Sequence, residues 1–198
     1  LGIKVVVVKG PKSIADVKEN VKLIAKTLGE EDKGNLMIAK MDDKLAEIKE
    51  KVDNIKPEER KKLVLISLMT SYGGKGCTFD DICQYAGVIN GVSDAGLHNG
   101  QFLTKEMLVA INPDLLIMPV YNDHNTFDIE KYNKEFLDDP ALQTLNAVKE
   151  KRFFYPREGY IYNSSQDIVF GVQEVARAAY GELFSQPENC HISVAEIN

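Results

Sequence analysis

The segment Leu63–Met69 reads LVLISLM and is apolar almost throughout. A run of this length without a polar/apolar alternation is typical of a parallel strand covered on both faces. A glycine-rich turn, Gly73–Gly76, follows it, and the pattern of Thr78–Ala86 then predicts a helix. Strand, turn and helix in this order predict an α/β fold, with a mostly parallel sheet and helices on both of its faces.

The same alternation extends along the rest of the chain. Ile3–Val8 is β-branched and predicts a strand, and Ser13 is a candidate N-cap for a helix that ends at Gly29. Apolar residues spaced by three and four from Ile38 to Ile55 predict a second helix, a rod of roughly 30 Å that ends before Pro57. Further helices are predicted over Leu103–Ile111, Ile129–Leu137, Pro140–Lys149 and Ser165–Phe184, and further strands over Leu115–Met118 and Arg152–Tyr155.

The charge and the cysteines exclude some functions. The 198 residues include 24 Lys and Arg and 30 Asp and Glu, a net charge of −6, so the chain lacks the basic field of a general nucleic-acid binder. No apolar run reaches the ~20 residues of a membrane helix. Cys77, Cys83 and Cys190 form no zinc-type spacing and are interpreted as buried or idle thiols, although a disulfide from Cys190 to one of the others stays open.

The Gly73–Gly76 loop offers an alternative function, because a glycine loop between a strand and a helix can hold a phosphate. It matches neither the Walker A spacing nor the dinucleotide fingerprint, since Phe79 stands where a third Gly or Ala belongs. A sharp turn at the sheet edge is the simpler interpretation. The sequence contains no GxSxG or HExxH motif, and carboxylate pairs such as Asp80-Asp81 lie at predicted helix starts, so we predict no enzyme activity and no cofactor.

Aromatic and imidazole side chains follow three of the predicted strands. Tyr72 follows the first, Tyr121 and His124 the second, and Tyr160 and Tyr162 the third. The carboxyl ends of parallel strands share one edge, where ligands of open α/β sheets bind. We therefore expect these loops to line one cleft, with flat faces for stacking and oxygen or nitrogen donors.

At this point the chain resembles the class III periplasmic-type solute-binding proteins, which feed ABC importers with iron–siderophores, haem or cobalamin. Each matching phrase is short, but together they cover nearly the whole chain in the family's order. They are Leu1–Val8, Ser13–Val21 with Leu28-Gly29, Glu31–Val52, Tyr85–Asn90, Leu103–Ile117, Asp139–Lys149 and Phe170–Phe184.

The resemblance implies two α/β lobes joined by a stiff helix. Residues 1–30 then correspond to the last strand and helix of an amino-terminal lobe, residues 31–56 to the interlobe helix, and residues 57–198 to the carboxyl-terminal lobe. Because the chain begins at Leu1 inside a predicted strand, we expect a fragment or one half of a longer protein, whose amino-terminal lobe is missing.

The resemblance also implies a function, which is capture of a ligand without chemistry outside the cytoplasm, by a periplasmic or cell-surface lipoprotein. The expected partners are a membrane permease and a metal chelate, with an oxyanion such as molybdate as a weaker alternative. Permease docking would fall to Glu130 and Glu135. The ligand contacts implied by position are Tyr72, Gly73, Gly74, His98, Tyr121, His124, Arg157, Tyr160 and Tyr162.

Overall fold

A computed structural model describes residues 5–68, 71–120, 127–157 and 159–195. Its sheet has four parallel strands, in the order β2-β1-β3-β4. Leu63 of β1 lies opposite Leu115 of β3, and Ile117 of β3 lies opposite Phe154 of β4. The α/β class with a parallel sheet is confirmed. The strands are β1 (Lys62–Leu65), β2 (Ile89–Asn90), β3 (Leu115–Ile117) and β4 (Phe153–Phe154).

The helices lie mostly where the apolar spacing predicts them. They are α1 (Ile14–Leu28), α2 (Glu31–Val52), α3 (Thr78–Tyr85), α4 (Gly91–Asp94), α5 (Lys105–Ile111), α6 (Ile129–Leu137), α7 (Asn146–Lys149) and α8 (Ile168–Tyr180). Short 3₁₀ turns lie at Pro57–Glu59, Pro140–Leu142 and Gly181–Phe184.

The two faces of β1 explain why its sequence shows no alternation. Leu63 and Leu65 pack into a cluster with α1, α2, α3 and α8, whereas Val64 and Ile66 pack into a second cluster with α4 and α5. Successive side chains of a strand point to opposite faces, so a strand with helices on both sides must be apolar at every position.

Helix α1 begins and ends as its sequence predicts. The Ser13 side chain accepts a hydrogen bond from the Asp16 N–H, and Gly29 ends the helix with φ of 72°, a left-handed conformation that glycine adopts readily. Ile14 and Val17 share the core cluster of β1 and α8, so α1 packs with the same body as the sheet. The division into lobes at residues 30 and 56 stays a prediction.

The predicted strand Ile3–Val8 is wrong for its described part. Val5–Val8 pair with no strand in the described part of the chain and are 43–79% exposed. A β-branched run forms a strand only where a neighbouring backbone accepts and donates its hydrogen bonds, and none of the described strands pairs with Val5–Val8. Met69, the end of the predicted strand Leu63–Met69, lies outside the described residues.

Three other predicted helices differ from the observed ones. Pro140–Lys149 is not one helix, because Leu145 is buried with an extended backbone (φ −62°, ψ 135°) and separates the 3₁₀ turn from α7. The last helix begins later than predicted, at Ile168, and ends earlier, at Tyr180. It ends there because Gly181 leaves the helical conformation, with φ of 70° and ψ of −142°. Helix α2 ends at Val52 rather than at Ile55. The short strand β2 and helix α4 had no prediction.

Candidate functional site

The carboxyl ends of β1, β3 and β4 lie at one edge of the sheet because the three strands are parallel and adjacent. The segments that follow these strands therefore start at the edge where open α/β sheets bind their ligands. The described segments are 66–68 with 71–72 after β1, 118–120 after β3, and 155–157 with 159–162 after β4.

Tyr72 and Tyr162 meet at this edge, although 90 positions separate them in the sequence. Their ring centroids are 5.9 Å apart and the ring planes are tilted by 37°. This distance lies within the range of favourable aromatic pairs, and it joins the loop after β1 to the loop after β4. The two loops are thus in direct contact, as the topology predicts.

Both phenols are bonded to the protein. The Tyr72 hydroxyl lies 3.1 Å from the Thr78 hydroxyl and shares a hydrogen bond with it, and the Tyr162 hydroxyl is hydrogen-bonded to Ser67. Burial raises the pKa of Tyr72 to about 12. Burial, together with electrostatic repulsion from the Tyr72 hydroxyl group, raises the pKa of Tyr162 to about 12 as well. Both groups are neutral phenols at physiological pH.

A small apolar cavity of about 50 Å³ lies beside Tyr72, between β1, α5 and α6. It has room for one or two water molecules, so a larger ligand would rest over it rather than enter it. Lys105 lies at its wall, where its ammonium group is paired with Asp139. The apolar lining includes Leu65, Ile66, Leu103, Leu108, Tyr132 and Phe136.

The Gly73–Gly76 loop is a tight turn, and two of its N–H groups donate hydrogen bonds within the protein. Gly73 and Gly76 have φ of 109° and 85°, and the Lys75 N–H donates to Leu97 O at 2.9 Å. The Gly76 N–H donates to the Asp80 carboxylate at 3.4 Å. A carboxylate at the start of α3 would repel a phosphate there, so the loop geometry favours the turn and opposes a phosphate cradle.

Asn90 ties this loop to the sheet. Its amide nitrogen donates to Gly73 O and to Asp80 Oδ1, both at 2.9 Å, and its oxygen accepts from the Val92 N–H at 3.2 Å as the N-cap of α4. Asn90 and Asp80 are both buried. The buried carboxylate therefore depends on neutral donors, because the described structure shows no ion pair for Asp80.

We expect Asn90→Ala to lower the free energy of unfolding by about 2 kcal/mol, since it removes two buried donors and leaves Asp80 without one of its partners. Urea unfolding followed by circular dichroism measures this change. Asn99→Ala, an exposed position, is the control and should leave the midpoint unchanged. Equal midpoints for both variants would contradict the role assigned to Asn90.

Tyr160 and Arg157 lie in the loop after β4 but bind the carboxyl-terminal segment. The Tyr160 hydroxyl accepts from the Cys190 N–H at 2.8 Å and lies 3.0 Å from Cys190 O. Arg157 is paired with Glu174 at 3.3 Å and donates to Gln186 O at 3.2 Å. Both line an open depression of about 660 Å³, separate from the cavity beside Tyr72. Their predicted ligand contacts stay predictions, and the structure gives each a packing role.

The remaining predicted site residues fall in different places. His98 is exposed, and its main chain packs against Gly74, where an added Cβ would lie 2.7 Å from the His98 carbonyl carbon. Tyr121 and His124 lie outside the described residues. Glu130 and Glu135 are exposed on α6, with Glu135 3.9 Å from Lys131.

Ser67, Thr78, Asp80 and Asn90 were not predicted as site residues, although they hold the two tyrosines and the glycine loop. Each is polar and buried. The signal for Ser67 is its position as a polar residue inside an apolar strand sequence, which requires a partner where the strand ends. Thr78, Asp80 and Asn90 follow the glycine loop in sequence. Only their burial distinguishes them from ordinary surface polar residues.

The described residues offer no site for a bare metal ion. Within residues 5–68, 71–120, 127–157 and 159–195, no three His, Cys, Asp or Glu side chains are grouped so that they could hold one. Cys77, Cys83 and Cys190 are all free thiols, so the disulfide that the sequence left open is not formed. In the same part of the chain, no helix is long and apolar enough to cross a membrane.

The structure is an α/β fold, with a parallel sheet, helices on both of its faces and an aromatic pair at its carboxyl edge. The sequence profile of the periplasmic binding protein family matches residues 1–158, and the chain belongs to that family. The predicted resemblance to class III solute-binding proteins is confirmed.

The chain is similar to an uncharacterized ABC transporter substrate-binding lipoprotein, YvrC, of Bacillus subtilis (strain 168), with 25% identity over 191 residues. That alignment covers 93% of this chain and 56% of the lipoprotein, so the chain spans about half of the curated relative's length.

Two solved structures share the fold. One is described as a possible iron-binding (periplasmic solute-binding) protein of Staphylococcus epidermidis, with a TM-score of 0.72, 19% identity, and coverage of 90% of this chain and 67% of that one. The other is a periplasmic heme-binding protein of Roseiflexus sp. RS-1, with a TM-score of 0.71, 19% identity, and coverage of 86% and 64%.

Proposed function

We propose that this chain is part of the extracytoplasmic solute-binding component of an ABC importer. It captures an iron complex, either a siderophore or haem, or else cobalamin, and delivers it to a membrane permease without chemical change. The protein around it is a periplasmic protein or a cell-surface lipoprotein, as the name of the Bacillus relative suggests. An amino-terminal lobe, as the resemblance implies, would supply the other wall of the cleft.

The observation that carries the proposal is the Tyr72–Tyr162 pair at the carboxyl edge of the sheet. Open parallel sheets bind their ligands at this edge, and aromatic rings there offer large faces with little conformational freedom. The two rings come from loops after different strands, so ligand binding across them would also fix the two loops relative to each other.

An iron complex is favoured over an oxyanion by the character of this surface. The residues around Tyr72 are mainly aliphatic and aromatic, and Lys105, the cation at the cavity wall, is paired with Asp139. A small oxyanion would need free donors, whereas a bulky chelate with an apolar rim needs contact area. The iron- and heme-binding descriptions of the two similar structures support the same class of ligand.

The nucleotide-binding alternative has less support. Its Gly73–Gly76 loop uses the N–H groups of Lys75 and Gly76 within the protein, and Asp80 places a carboxylate beside them. A nucleotide phosphate would have to displace this carboxylate from the start of α3.

Permease docking is proposed for Glu130 and Glu135. Both carboxylates are exposed on α6, which is the next helix after β3 in the chain. Exposed carboxylates can pair with arginines of a partner, although each such pair contributes only about 0–1 kcal/mol.

Titration of the full-length protein tests the function. The probes are a ferric hydroxamate chelate, haem, cobalamin and molybdate, with ATP and NAD for the alternative. We expect one of the iron complexes or cobalamin to raise the melting temperature, corresponding to about 2.7 kcal/mol at a hundredfold excess over Kd. Isothermal titration calorimetry with the same probes gives an independent readout.

Stabilisation by ATP or NAD, with no effect of any iron complex or cobalamin, would overturn this function in favour of a nucleotide-binding domain. Stabilisation by molybdate alone would keep the binding-protein class and overturn the proposed ligand.

A further inference from the structure

The hydroxyl groups of the tyrosine pair point into the protein. Tyr72 bonds to Thr78, the buried first residue of α3, and Tyr162 bonds to Ser67, the buried residue two positions after β1. A tyrosine that coordinates a metal ion must present a free, deprotonated oxygen. Here each oxygen is already occupied by a neighbouring side chain.

The ionisation of the two phenols agrees with this geometry. Burial is the main cause that raises the pKa of both groups to about 12, and electrostatic repulsion from the Tyr72 hydroxyl group adds to the effect at Tyr162. Formation of one phenolate would therefore compete with its own burial, and a second phenolate 5.9 Å from the first, measured between ring centroids, would be harder still.

Both tyrosines reach the surface at this edge. Tyr162 is 36% exposed, and Tyr72 is partly buried beside the small cavity. The tilted pair of rings continues into the apolar lining of Leu65, Ile66 and Leu103. This surface can bind a flat or apolar outer face, and the adjoining cavity of about 50 Å³ is too small to receive more than a single small group.

We propose that Tyr72 and Tyr162 are a stacking floor for a coordinatively saturated chelate, a metal ion fully wrapped by its own organic ligand, and that neither tyrosine coordinates the metal. This inference rests on the proposed function and narrows its substrate class. It assigns specificity to the shape and apolarity of the chelate's outer surface rather than to the metal.

The test uses the full-length protein with two probes of the same shape, a ferric hydroxamate chelate and its gallium counterpart. We expect equal affinities for both chelates, because no protein atom coordinates the metal. Tyr162→Phe and Tyr72→Phe should stay within about twofold of the natural protein. Tyr162→Ala should lose about tenfold or more, since it removes the stacking face.

Tyr85→Phe and Tyr85→Ala are the matched controls, because Tyr85 is an exposed tyrosine at the other end of α3. Thermal unfolding of each variant verifies that it is folded. The phenylalanine variants retain the ring, so their affinities and absorption spectra still test metal coordination if an alanine variant unfolds.

Two results would overturn the stacking proposal alone. One is a loss of affinity in Tyr162→Phe as large as that in Tyr162→Ala. The other is a visible iron–phenolate absorption band in the ferric complex that disappears in a phenylalanine variant. Failure of the natural protein to bind the hydroxamate chelates, haem or cobalamin is a different result, which overturns the proposed function and this inference with it.

Discussion

Replacing Glu174 with glutamine is expected to lower the free energy of unfolding by about 3 kcal/mol. Glu174 lies on α8 with its side chain fully buried, and it accepts hydrogen bonds from five donors. The shortest joins Arg177 Nη2 to Glu174 Oε1 at 2.9 Å, and the Arg157 N–H donates to the same oxygen at 3.0 Å. Gln186 donates to the other oxygen at 3.1 Å.

A glutamine cannot replace this carboxylate, because one of its two terminal groups is itself a donor. That group would face a guanidinium group, and both arginines would lose their anion. The arginine side chains are about a quarter exposed, 26% for Arg157 and 28% for Arg177, so water compensates part of the loss and the expected effect stays below that of a fully buried pair.

The effect of this substitution depends on pH. Burial alone would raise the pKa of Glu174, but the hydrogen bonds from Arg177, Arg157 and Gln186 outweigh it, so the pKa lies below its usual range. The carboxylate therefore stabilises the fold above the ordinary pKa of glutamate, about 4.3, and this contribution is lost as the pH falls through the lower folded value. We expect the difference between the natural protein and Glu174→Gln to be constant near neutral pH and to shrink below about pH 4.

Urea unfolding of both proteins at several pH values measures this difference. Glu135→Gln, an exposed glutamate on α6, is the matched control and should change the free energy of unfolding by less than about 0.5 kcal/mol. A Glu174→Gln variant as stable as the control at neutral pH would show that the two arginines find other partners.

Arg157 shows where inference from the sequence ends. A basic residue in a loop at the carboxyl edge is a reasonable candidate for a ligand's carboxylate or phosphate. Its partner Glu174 looks in sequence like half of an ordinary i,i+3 surface pair with Arg177. Both are placed by the segment after α8, which returns along the loop after β4 and covers them, and no local pattern encodes that return.

The central strand β1 and the helix α1 were predictable because burial and capping leave a regular pattern in the sequence, whereas the two-residue strand β2 is too short to leave one. Strand β1 is apolar at every position since its alternate residues enter different clusters, and α1 carries its cap and its terminating glycine in the chain. The tyrosine pair is an intermediate case. Topology predicted that Tyr72 and Tyr162 would share an edge, but the bonding of their hydroxyls to Thr78 and Ser67 depends on side-chain packing.

Gly171→Ala is expected to displace the loop after β4, which carries Tyr160 and Tyr162, because Gly171 of α8 packs against its main chain. Gly171 lies inside α8, and an added Cβ would be 2.4 Å from the Tyr160 carbonyl oxygen and 3.0 Å from its carbon. These are main-chain atoms, which cannot rotate away as a flexible side chain can. The loop that carries Tyr160 and Tyr162 must therefore move outward, or α8 must shift in the core.

We expect this substitution to lower the free energy of unfolding by about 3 kcal/mol, because the overlap outweighs the gain of up to about 1 kcal/mol that alanine brings to a helix interior. Ligand affinity in the full-length protein should fall at least tenfold, since an outward shift of the loop separates the Tyr162 ring from Tyr72. Calorimetric titration with the ferric hydroxamate chelate and urea unfolding measure the two effects.

The control for this variant is Gly10→Ala, a position with no atom within 4 Å of the added Cβ. It should change neither stability nor affinity. Loss of stability in Gly171→Ala with unchanged affinity would mean that α8 gives way and the loop stays in place, and the tyrosine pair would then be held by its hydroxyl bonds rather than by its packing against the helix. Loss of affinity with little loss of stability would locate the displacement in the loop, so the ratio of the two effects tells which element yields.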